Sequence, residues 1–153
     1  MSCLKNIACF ALALALLGGM AFATDGEPTL SIVSDGLSAG ECRSGDKLTL
    51  TAVGEPLDYW WLATSPVSGT TNFAFGAVNP FSLSLGSPII LTMLPSPSSG
   101  SLMMTQKISV VPPGLWGVTL YNQIIVGRFV APEDTVLTVF VSNVASIEFP
   151  VPN

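Results

Sequence analysis

From Thr24 onward, apolar and polar positions alternate with a period of two in short runs, and no stretch carries a helical period. Lys47 to Val53 shows the pattern most plainly: Leu48, Leu50 and Ala52 fall on one face, Thr49 and Thr51 on the other. Thr29 to Val33 precedes it as a strand closed by Asp35-Gly36. After the Gly54-Glu55-Pro56 turn, Asp58 to Ala63 forms a compact aromatic strand. Ser65 to Asn79 reads as a long connection with a short strand at Asn72 to Phe75. Further strands are predicted at Pro80 to Leu85, Ile89 to Leu94, Ser101 to Val110 and Val118 to Val126. The run from Val136 to Phe149 is interrupted at Ser142-Asn143, which marks either a bulge or a turn that makes two strands of it. About seven or eight strands of this kind predict an all-β fold, an antiparallel β-sandwich of immunoglobulin-like or similar type.

The first 23 residues have a different pattern. Lys5, an apolar run from Ile7 to Leu17, the Gly18-Gly19 break and the small-x-small ending Ala21-Phe22-Ala23 are the layout of a signal peptide cleaved after Ala23. The apolar run is short of the roughly 18 to 20 residues that span a bilayer, which argues against an anchor. Neither Cys3 nor Cys9 follows it as a lipid-bearing cysteine would. The expected organisation is a signal peptide over 1–23 and a single sandwich domain over 24–153, with no transmembrane span after processing and with a secreted location: extracellular, cell surface or periplasm.

Composition narrows the partners. Processing removes Lys5 but none of the ten acidic residues, so the net charge goes from −5 to −6, and no basic patch remains to displace counterions from nucleic acid. Charged residues are scarce throughout, at 10% of the chain, so Ser, Thr, Gly and Asn must supply the solvent face. Low charge also weakens the repulsion that keeps copies apart. Of three cysteines, only Cys42 survives processing. It is either a buried inert thiol or a group available for an intermolecular disulfide.

Several segments carry a resemblance: Gly45-Asp46-Lys47-Leu48-Thr49, the step Val111-Pro112-Pro113-Gly114-Leu115-Trp116-Gly117, the strand Tyr121-Asn122-Gln123, and Ser142-Asn143 in the last strand. With these the chain resembles a small, uncharacterised β-module found in large exported bacterial proteins. The step is compressed here, and Val111 stands where such modules have Ile. The resemblance implies an immunoglobulin-like or similar sandwich and export, and it implies no activity.

Candidate chemistry is sparse. The chain has no histidine, so neither a Ser-His-Asp nor a Cys-His site can be built. One cysteine and scattered carboxylates do not make a zinc or calcium site, and no glycine-rich loop opens a helix, so neither a metal nor a cofactor is expected and no catalytic residue is assigned. Asp46 and Asp58 could in principle serve as the paired carboxylates of a glycosidase, but nothing in the sequence places them together, and Asp46 reads better as a turn residue. Tyr59, Trp60 and Trp61 are the candidate ligand-contacting residues. Adjacent tryptophans on a strand face opposite ways, so one fills the core. The other is either covered by the Ser65 to Asn79 connection or left open to stack on a sugar ring beside Tyr59. Trp116, next to Pro112 and Pro113, reads as a packing lid. Buried Asn122 and Gln123 would need backbone partners where a ladder is interrupted. The expected function is that of an exported, non-enzymatic protein with a structural or interaction role at the cell surface. A carbohydrate-binding module and a subunit of a self-associating assembly are the alternatives, giving as partner another protein, a second copy or a surface polysaccharide.

Overall fold

In the computed structural model, the described residues are 27–36, 38, 40–56, 58–75, 78–128 and 137–152. The signal-peptide expectation for Met1 to Ala23 lies outside them. Ten strands follow in order: β1 (Thr29–Ser34), β2 (Lys47–Val53), β3 (Tyr59–Ser65), β4 (Ser68–Phe75), β5 (Val78–Leu85), β6 (Ile90–Leu94), β7 (Ser101–Lys107), β8 (Val118–Arg128), β9 (Thr138–Val141) and β10 (Ala145–Phe149). All pair antiparallel. No helix among the described residues is long and apolar enough to cross a membrane.

Two sheets form the sandwich. The first has the order β1-β2-β7; the second has the order β10-β8-β3-β6, with β9 also paired to β8. Alternation decides which side chains meet between them. Leu30 and Ala52 of the first sheet pack against Trp60, Leu94, Ile124 and Val126 of the second. The outer face of the first sheet carries hydroxyls, as the scarcity of charge predicts, with Thr49 and Thr105 hydrogen-bonded across β2 and β7 at 3.1 Å.

The chain differs from the predicted strand count in one informative place. The expected connection after Ser65 is a hairpin, β4–β5, which lies over the outer face of the second sheet as a third layer. The sequence places strands at Asn72 to Phe75 and Pro80 to Leu85 within it; the start of β4 at Ser68 and the pairing of the two are not legible, because the ladder is irregular between Ser68 and Thr71 and between Phe73 and Phe75. Leu83 and Leu85 from the hairpin are buried with Ala63 and Ile125, so the central strands β3 and β8 of the second sheet are covered on both faces. That explains why β8 is buried without a break from Asn122 to Gly127. One other boundary moved: strand β7 stops at Lys107 rather than Val110, leaving Val110 exposed. The last run divides into β9 and β10 at Ser142-Asn143, where the interruption is expected.

The division is a bulge. Three residues, 142–144, separate Val141 from Ala145, while only Gln123 and Ile124 separate their partners Asn122 and Ile125 on β8. The extra residue frees backbone groups, and side chains take them up. The Ser142 hydroxyl accepts from the Ile124 N–H at 2.8 Å, and the Gln123 amide donates to the Ser142 carbonyl at 2.8 Å. Gln123 Oε1 also accepts from the Ser84 N–H at 2.7 Å, which ties the hairpin to the bulge. Asn143 pairs with both backbone groups of Leu30, accepting from its N–H at 3.0 Å and donating to its carbonyl at 2.9 Å. Its amide acts as a single peptide unit of strand joining the two sheets.

Candidate interaction surface

The two flanks of the sandwich end differently. On one, Asn143 links β1 to the β9–β10 edge, and the segment at Gly40 to Cys42 pairs with Glu148 on β10 through bonds of 2.7 and 2.8 Å. On the other, β6 and β7 are the terminal strands of their sheets. A free strand edge offers unpaired N–H and C=O groups to any extended segment that reaches it, and proteins usually guard such an edge with charge or proline. β6, with the sequence Ile-Leu-Thr-Met-Leu, has neither.

Side chains add to this edge. On the outer face of the second sheet, Met93 stands opposite Trp61 and Leu91 opposite Ala63 in the β3–β6 register. Leu91 is 55% and Met93 67% exposed, with Ile90 exposed on the opposite face of the strand. Tyr59 stacks on Trp61 with ring centroids 6.2 Å apart and planes at 25°. The Trp61 ring is seated on β8, where a Cβ at Gly127 would lie 3.1 Å from it and 2.7 Å from Leu137. Glycine at 127 is therefore what lets Leu137 and the Trp61 ring come this close to the β8 backbone. The result is an apolar strip along the rim: Tyr59, Trp61, Leu91 and Met93.

The three aromatic candidates from the sequence separate accordingly. Trp60 is wholly buried in the inter-sheet core, its indole nitrogen without a hydrogen-bond partner, so no surface ligand reaches it. Trp61 is half-buried against the hairpin, and Tyr59 is exposed. Cys42, the candidate for an intermolecular disulfide, is fully buried with Val111, Ile147 and Phe149. Burial, and secondarily the charge of Asp46, raises its thiol pKa, opposite to what a reactive thiolate needs.

The carboxylates are occupied in separate places. Asp58 holds Arg128 through a two-pronged contact, Nε to both oxygens at 3.1 Å and Nη2 to Oδ2 at 2.8 Å, which fixes the start of β3 to the end of β8. Asp46 accepts from the Arg43 N–H at 2.8 Å and the Ser34 hydroxyl at 3.3 Å. Among the described residues no three potential metal ligands cluster.

Two features escaped the sequence reading. Leu91 and Met93 were read as part of an apolar strand, with no hint that it ends a sheet. A signal was nonetheless present: from Tyr59 to Gln106 the chain has no charged residue at all, a run of 48. Trp116 is also more than a lid. It is 42% exposed, its Nε1–H is fixed to the Val111 carbonyl at 3.2 Å, and it lines a cleft of about 320 Å³ with Arg43, Ser44 and residues 150–152.

No family model, curated protein or solved structure matches this chain.

Proposed function

We propose that the chain is an exported, non-enzymatic interaction module that docks a protein partner at the cell surface along its β6 flank. The observation that carries this reading is the uncharged, unguarded β6 edge beside the Tyr59, Trp61, Leu91 and Met93 strip. An extended segment added there would gain ladder bonds from the backbone and apolar contacts from the strip. Export rests on the layout of Met1 to Ala23. The lack of histidine and the structural commitment of Asp46 and Asp58 support the non-enzymatic part.

A photo-crosslinking residue placed at Met93 in the producing cell tests the docking flank, with the same residue at Val33 on the outer face of β1 as control. Adducts from position 93 and none from 33 are expected; equal yields, or none at 93, overturn the reading. Turnover of a hydrolase substrate by the purified chain would overturn the non-enzymatic part.

One observation favours a sugar ligand elsewhere. The fixed Trp116 face, with Arg43 and Ser44 beside it, offers a flat apolar ring and polar groups together, which the aliphatic neighbours of Trp61 do not. Titration with soluble oligosaccharides, read by tryptophan fluorescence in the parent and in Trp116→Phe, checks it; identical responses in the two reject the Trp116 site.

A further inference from the structure

We infer that the partner of the β6 flank is a second copy of this chain, paired β6 to β6 in antiparallel fashion about Thr92. The inference rests on the docking reading above and adds the identity of the partner.

Self-complementarity is the first argument. A two-fold interface presents the same patch on both sides, so one strand must match its own reverse. With Thr92 opposite Thr92, Leu91 meets Met93 of the second copy and Ile90 meets its Leu94, apolar against apolar at every position but the central hydroxyl pair. The outer face of the second sheet would then run through both molecules. Leu91 and Met93, exposed on one copy, would be covered by Met93 and Leu91 of the other.

Charge is the second argument. The chain is acidic overall, at −5 before processing, and two copies repel unless they meet through neutral surface. The run without charge from Tyr59 to Gln106 contains all of β3, β4, β5, β6 and β7 except Lys107 at the end of β7. A partner of different chemistry is ordinarily steered by complementary charge, and this flank offers none to steer with. Its match in charge is a surface equally neutral, and the same flank on another copy is one.

Size sets the expected strength. A five-residue ladder with four flanking apolar side chains falls short of the roughly 800 Å² per partner of a standard interface, so the dimer should be weak, with a dissociation constant of about 10–100 µM. Sedimentation velocity of the chain from Thr24 onward, across about a hundredfold concentration range bracketing that value, tests it. The expected result is a dimer fraction that rises with concentration, is lost in the Leu91→Lys/Met93→Lys double variant, is weakened in Leu91→Thr/Met93→Thr, and is unchanged in Val33→Lys. Near-ultraviolet circular dichroism of each variant confirms that the tested monomers are folded.

A strict monomer at the highest concentration overturns the self-pairing, as does a dimer that both double variants leave intact. The mass of the Met93 crosslinked adduct separates the two levels of the argument. An adduct of twice the chain mass supports both, and an adduct of any other mass keeps the docking flank while rejecting the second copy. Absence of adducts removes both.

Discussion

The two flanks of this sandwich are built from the same kind of strand and solve the edge problem in opposite ways. At the β1 and β10 flank, every device is polar and internal. Asn143 substitutes for a peptide unit against Leu30, the Gly40 to Cys42 segment adds a short ladder, and Gln123 and Ser142 take up the backbone groups that the bulge frees. At the β6 and β7 flank no strand among the described residues pairs with the outer edge of β6, and the exposed large apolar side chains of that strand are Ile90, Leu91 and Met93. The lesson is that polarity and openness are reversed here: buried amides close one side, whereas exposed aliphatics leave the other ready to receive a strand.

Substitutions can break this contrast, and the largest effect is expected where the closed flank meets the hairpin. Gln123→Leu leaves the Ser84 N–H and the Ser142 carbonyl without partners inside the protein, which should cost about 3 kcal/mol in urea unfolding and speed hydrogen exchange in β5. Asn143→Ala removes both bonds to Leu30 and should cost about 2 kcal/mol, with protection lost first in β1. If either variant unfolds at the parent's midpoint, the closed flank is not held as described.

The thiol at the same flank gives a pH test. Cys42 has its pKa raised in the fold from the ordinary 9.0, so the protein favours the neutral thiol. Its contribution is fully present below pH 9.0 and is lost as pH rises through the higher folded value. Unfolding midpoints should therefore fall above pH 9.0 in the parent more steeply than in Cys42→Ala. Parallel slopes would show that the thiol does not titrate across unfolding. The smallest effect belongs to the open flank: Leu91→Lys/Met93→Lys should change monomer stability by less than about 0.5 kcal/mol, since both side chains already face solvent. A large loss would mean that β6 is packed more tightly than its exposure states.

Much of the fold could be read from residue order. Period-two alternation located β1, β2, β3, β5, β6 and β8 closely, because each has one face or both against a core. Adjacent Trp60 and Trp61 do point to opposite faces, and Asn122 and Gln123 do take backbone partners at an interrupted ladder. Of the hairpin, the strands expected at Asn72 to Phe75 and Pro80 to Leu85 are present, whereas the start of β4 was hidden because Ser68 and Gly69 look like loop residues, and the pairing because its ladder is irregular. Strand order was hidden for a related reason. Alternation tells which face of β6 is apolar but not whether another strand lies beside it, so the open edge with Leu91 and Met93 emerged only from the pairing.

The Asn143 clamp has a consequence for how the domain carries load. Leu30 of β1 lies at Asn143, just before β10, and Ser34 at the far end of β1 hydrogen-bonds Asp46 beside the Cys42 segment that pairs with Glu148. Strands β1 and β10 thus run side by side in the same direction, and the described segments that lead into β1 and out of β10 lie at opposite ends of the sandwich. Tension applied through those segments would slide β1 along β10 instead of peeling it, so the Asn143 and Glu148 bonds would be strained together rather than one after another.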